Sequence, residues 1–412
     1  MTDMAVTVPV IAVDKVQAVA LAVCTYYFGV WLKGKVGVLS RYSIPSPVVG
    51  GMSFAIVVSF LEYFNIVKVQ IDSTLQTVLM LGFFTTIGLM ASLRVVKDGG
   101  RLLLGFLLAV TVLVFLQNGM GMAIAEAMGF DKHYGILAGS VSMMGGLGTA
   151  AAFGPYFEET YGITGGTAVA VTAATFGMVA ALLIGGPFGE WCIRRYKVKT
   201  PDEVQQPEPE LHLPDDMDTD ITEQHASAKP NFTNEIMRAV SVTALAMGLG
   251  TIVSNFLGHY ITLPAYIGAM IIATIIRNVG DFSGMYKVEG KGLNAVADIT
   301  LVLFVTMAIN NLKLHELVHL ALPLVVILAC QTILMLIYAW TVLFTAFGRS
   351  YDAVMLSVGG IGFSMGATAN GLANMQAISE KYGSSPRAWL IVSVVGAFLI
   401  DLINAVVITW FG

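Results

Sequence analysis

Asp401 is the residue in this chain whose position most demands a chemical explanation, because it is the one carboxylate near the middle of an expected apolar span, in Phe398-Leu-Ile-Asp401-Leu-Ile-Asn404. A carboxylate at that depth in hydrocarbon costs about 2.5–3.5 kcal/mol on insertion scales, so a partner or a task is expected of it. Asn404 follows one turn later on the same helical face. An aspartate and an amide oxygen side by side suit a small hard cation such as sodium; a protonated, purely structural aspartate is the plainer alternative. Two glycine-rich segments offer further groups. The first reads SVSMMGGLGTAAAFGP (140–155) and the second SVGGIGFSMGATANGLANMQ (357–376). Each combines small residues with hydroxyls and amides about an expected turn. Free amides at a helix start there would favour an anion, and free carbonyls a cation. An acidic amino acid and a sodium ion need that pair of partners. The candidates for the organic ligand are Gly145, Gly146, Gly148 and Thr149, with Asn118, facing Ser364, Gly366, Thr368 and Asn370. Those for sodium are Thr368, Asn374, Gln376, Asp401 and Asn404. Glycines that merely let helices approach are the alternative for any one segment; their pairing in two segments argues for a site.

Two other motifs point to enzymes. His315-Glu316-Leu-Val-His319 is a literal H-E-x-x-H, which on a helix sets two imidazoles on one face for zinc with a general base between them. A catalytic zinc needs a third protein ligand, and the sequence places none, so rim residues of an ordinary helix are the preferred reading. Gly362-Phe-Ser364-Met-Gly366 fits G-x-S-x-G, but that motif is a nucleophile elbow only between a strand and a helix of an α/β sheet. No such sheet is expected. A channel lined by the two glycine-rich segments is a third possibility.

The elements that must hold these groups are membrane helices. Apolar residues make up 56% of the chain and charged residues 12%, about half the charge that a soluble domain carries. Ten spans can be drawn at 17–32, 47–66, 74–93, 102–127, 166–190, 236–257, 262–277, 293–312, 317–347 and 388–411, each near the length that crosses hydrocarbon. Between them lie the glycine-rich segments 134–157 and 352–379. If each enters and leaves on one side, 18 of the 22 Lys and Arg residues fall in the cytoplasm, with both termini outside, in keeping with the positive-inside tendency. The acidic, proline-broken stretch 201–224 holds nine of the 27 acids and reads as a cytoplasmic linker. It divides the chain into 1–193, 194–235 and 236–412. The three cysteines are far apart and form no disulfide or metal pattern, and the N-terminus shows no removable signal peptide. No basic surface suggests nucleic acid.

The halves repeat. Ile44-Pro45 returns as Leu263-Pro264 and Ala127-Met-Gly129 as Ala346-Phe-Gly348, both shifted by 219, while Glu159-Thr-Tyr-Gly162 returns as Glu380-Lys-Tyr-Gly383. Gln117 and Gln331 occupy the preceding helix of each half. Five spans per half is an odd number, so the second copy is expected upside down, with the two segments as re-entrant hairpins meeting at mid-membrane. The expected fold is an all-α integral membrane protein of two inverted five-helix repeats.

Several stretches carry a family resemblance: YSIPSPVVGG (42–51), FFTTIGL (83–89), QNGMG (117–121), ATFG (174–177), GATANGLANMQAI (366–378) and VGAFLIDLINAVVI (395–408). In order, and along nearly the whole chain, they resemble the bacterial sodium/glutamate symporter family. The resemblance implies re-entrant hairpins that carry the sites, sodium-driven import of L-glutamate across the bacterial inner membrane, and a homodimer. It implies no cofactor beyond the coupling sodium. The chain departs from the family pattern on the hairpins themselves, at Met144, Leu147 and Ala150, and at Gly360, Ile361, Ser364, Ala369 and Asn370.

Overall fold

The computed structural model describes residues 9–37, 39, 44–94, 100–201, 232–257, 265–284, 286, 290–313 and 319–412. Helix α1 (Lys15–Lys35) begins at Asp14, whose carboxylate accepts the amides of Val16 and Gln17 while the Gln17 side chain accepts the Asp14 amide. That reciprocal cap satisfies donors that a helix start leaves free. Pro47 sits in the first turn of α2 (Ser46–Tyr63), where a missing N–H is harmless. Then come α3 (Thr74–Met90), α4 (Gly100–Ala127), and α5 (Lys132–Ile136) running into a π-helical turn, Leu137–Val141. The first half closes with α6 (Gly146–Tyr161) and α7 (Gly166–Tyr196).

The second half passes through a similar order of helices. It contains α8 (Phe232–Leu257), α9 (Ala265–Ser283), α10 (Lys291–Asn310), and α11 (Ala321–Tyr338) with a π-helical continuation, Ala339–Ala346. A helix pair follows, α12 (Tyr351–Ser364) and α13 (Thr368–Tyr382). The last run is α14 (Pro386–Val394), a π-helical stretch Val395–Leu399, and α15 (Ile400–Phe411). Every expected span has a helix in its place, and among the described residues seven helices are long and apolar enough to cross a membrane. The glycine-rich segments are helix–turn–helix pairs.

Two features differ from the sequence reading. A parallel two-stranded ribbon pairs β1 (Val10–Val13) with β2 (Lys68–Ile71), Val10 opposite Lys68; four residues per strand are too few for a period-two pattern to announce itself. The span drawn as 388–411 is interrupted by π geometry just before Asp401, a distortion that recurs at functional positions. The acidic stretch 202–231, Pro264, His315 and Glu316 lie outside the described residues. His319 is exposed, and the described residues contain no cluster of His, Cys, Asp or Glu able to hold a metal.

The helices sort into two packed groups, each drawn from both halves. One comprises α1–α3 with α8–α10; the other comprises α4–α7 with α11–α15. Small residues set the spacing inside each. A methyl on Gly50 would fall on the Thr25 carbonyl, and one on Gly121 would fall on the Gly135 backbone, so backbones touch where lipid-solvated helices need close packing to associate. The groups meet along α10 against α6 and α15 against α3 and α9. A cavity lies on that boundary.

Candidate functional site

The first hairpin turns because its backbone leaves the helix twice. Gly139 adopts φ −91° and ψ −128° inside the π turn, and the Asn118 side chain accepts the Ser140 amide at 2.9 Å. The Ser142 hydroxyl reaches the Ala170 carbonyl at 2.7 Å, tying the hairpin to α7. At the tip Gly146 has φ +62°, and a Cβ there would lie 2.5 Å from the Gly366 carbonyl oxygen. The two tips are therefore in contact, and the left-handed φ suits glycine alone. In the second hairpin α12 ends at Ser364, Ala367 is extended, and α13 starts at Thr368. Gly366 packs against Met178 of α7, where a Cβ would lie 2.9 Å from Cα of Met178.

Both tips present a helix N-terminus. The residues preceding α6 and α13 are Gly145 and Ala367, and neither start is capped by a side chain. The first amides of a helix have no acceptor within it and carry the positive end of its dipole, so each start favours an anion. Between them is a cavity of about 310 Å³. Its polar groups come from one helix group: the tips at Gly145, Gly146, Gly148, Thr149, Gly366 and Thr368, and the carboxylate of Asp401. The opposite wall is apolar and comes from the other group: Pro45, Phe83, Ile87, Leu301 and Val305. Among the described residues the Asp401 carboxylate has no hydrogen-bond or ion-pair partner.

The remaining candidates serve the frame rather than the cavity. Asn370 donates to the Met178 carbonyl at 3.0 Å, and Asn374 donates to that of Ala181 at 3.0 Å. Asn404 is fully buried and donates to the Ser140 carbonyl at 3.0 Å. Asn118 holds Ser140, and Ser364 is wholly buried behind the tip. Gln376 is exposed and bonds Glu380 at 3.0 Å. Of the five residues expected around sodium, the structure thus brings Thr368 and Asp401 to the cavity, and the Thr368 hydroxyl is already donated to the Gly396 carbonyl. The apolar wall was not anticipated as part of a site. Its signal was that Pro45 falls within the family-like stretch YSIPSPVVGG, and Phe83 and Ile87 within FFTTIGL.

Two anion-favouring helix starts and one unpaired carboxylate around one cavity suit a ligand with two carboxylates and one ammonium. Comparison with known proteins identifies the family. The family model described as "Sodium/glutamate symporter" matches residues 11–384. The sodium/glutamate symporter of Escherichia coli (strain K12) is 37% identical over 400 residues, covering 96% of each chain. That of Haemophilus influenzae is 35% identical over 395 residues, covering 94% of this chain and 95% of the relative.

Proposed function

The chain belongs to the sodium/glutamate symporter family, and from that membership we propose how its cavity holds the cargo. The protein is a multi-pass membrane transporter, not an enzyme, that moves L-glutamate together with sodium. L-Glutamate sits between the hairpin tips. Its two carboxylates meet the uncapped amides of α6 and α13, and its ammonium meets Asp401. The apolar wall closes the far side and excludes water, which strengthens each charged contact. The observation that carries this reading is the convergence of two uncapped helix starts and one unpaired carboxylate on a single cavity.

The frame around this site is read as two five-helix repeats of opposite orientation, with the helix pairs α5–α6 and α12–α13 re-entering from opposite faces. The similar order of helices in the two halves supports it. The acidic linker then lies in the cytoplasm and both termini outside, in a bacterial inner membrane, with two copies forming a dimer. Alternating access acts at the boundary between the helix groups, where the cavity lies.

The test is calorimetric. Purified protein should bind L-glutamate in sodium chloride and bind it at least tenfold more weakly in potassium chloride. Equal binding in the two salts would contradict sodium coupling, and absence of binding in both would contradict the glutamate site.

A further inference from the structure

Behind the second tip lies a polar node that the cavity does not use. Helix α12 ends at Ser364, with Met365 outside the helix at φ −124° and ψ 1°. The last carbonyls of a helix lack intrahelical partners and carry the negative end of its dipole. Around this end stand Gln117 of α4 and Gln331 of α11, each 1% exposed, and Ser364 itself at 0%. The Gln117 amide nitrogen donates to the Ser364 carbonyl at 2.9 Å, and the Gln331 amide nitrogen donates to the Gln117 carbonyl at 2.7 Å.

Those two bonds fix both amide orientations, since the flipped forms would set oxygen against oxygen. Both side-chain oxygens are therefore turned away from the acceptors. Oε1 of Gln117, Oε1 of Gln331 and the Ser364 hydroxyl oxygen are buried and have no partner among the described residues. Native proteins rarely leave such groups unanswered. The three helices that supply them hold a single basic side chain, Arg101, about 24 Å from Gln117 along the axis of α4. Among the described residues no side chain answers these oxygens.

We infer that the oxygens of Gln117, Gln331 and Ser364, with the terminal carbonyls of α12, form a binding site for a desolvated monovalent cation, separate from Asp401. Neutral oxygens of this kind replace the hydration shell of an alkali ion. Half-helix C-termini in transporters favour cations for the same electrostatic reason. On the symport reading, on which this inference rests, the cation is the coupling sodium. Its position also explains a linkage between the hairpins. Asn118, beside Gln117 on α4, holds Ser140 of the first hairpin, while Gln117 holds Ser364 of the second. A cation on the Gln117 oxygen therefore fixes the α4 segment that positions both tips.

The experiment is a sodium titration of purified protein without glutamate, read by thermal stability, for wild type, Gln331→Leu and Ser364→Ala. Choline chloride controls for ionic strength. The wild type should show a saturable rise in Tm with sodium, and each variant should need at least tenfold more sodium for half the rise. Ser364→Ala removes one oxygen and little volume, so it remains readable should Gln331→Leu fail to fold. Wild-type sodium titration in a folded variant, with the wild type still taking up glutamate on a sodium gradient, overturns the site and leaves the symport reading intact; the node then holds water. A wild type indifferent to sodium in both binding and uptake overturns the symport reading and the site with it.

Discussion

At the scale of single residues, the proposed site gives Asp401 the ammonium of the cargo to recognise. That assignment separates it from a sodium ligand by a measurement on two substrates. Glutarate has the two carboxylates of glutamate and lacks the ammonium. Removing one member of a desolvated charge pair costs about 2 kcal/mol or more, so Asp401→Asn should weaken glutamate roughly 30-fold and glutarate far less. The preference of the wild type for glutamate over glutarate should largely vanish. If both ligands weaken equally, Asp401 acts through the coupling ion instead. Asp401 itself was legible in the sequence because an ionisable group inside an apolar run is conspicuous. Asn374 and Gln376 were singled out as polar groups within apolar stretches and Asn404 as lying one turn from Asp401, but the structure turns their amide nitrogens to backbone carbonyls or to Glu380. Spacing places a side chain on a helix face; it does not say which neighbour that face meets.

At the scale of elements, the hairpin tips depend on Gly146. Its φ of +62° and the nearby Gly366 carbonyl leave no room for a side chain. A left-handed conformation costs an L-residue about 1–2 kcal/mol, and the methyl of Gly146→Ala would also press the tips apart. Uptake should fall at least tenfold with a raised KM, while membrane insertion stays normal. Gly162→Ala is the control: it has φ +67° at the other end of α6, with open space around it. It should lose some stability and keep its KM. A wild-type KM for Gly146→Ala would remove the tip from the site. The existence of both helix pairs was legible from their paired glycines, serines and threonines. The ribbon of β1 with β2, and the π turns at Leu137–Val141 and Val395–Leu399, were not. Such short departures leave no periodic trace in a sequence.

At the scale of the whole molecule, the chain divides twice. The sequence motifs suggest one division, into two halves about the acidic stretch 201–224. The packing divides across those halves, joining α1–α3 to α8–α10 and α4–α7 to α11–α15. Contacts between segments some two hundred residues apart have no counterpart in local sequence pattern, so this second division could only come from the structure. It matters because the cavity has its polar groups on one side of the boundary and an apolar wall on the other. Uptake by purified protein in proteoliposomes reads out whether this arrangement performs sodium-driven glutamate transport. With sodium high outside and potassium inside, labelled L-glutamate should accumulate above its external concentration, and a sodium ionophore should release it. Glutamate that merely equilibrates across the membrane, or that accumulates equally well without a sodium gradient, would contradict the account.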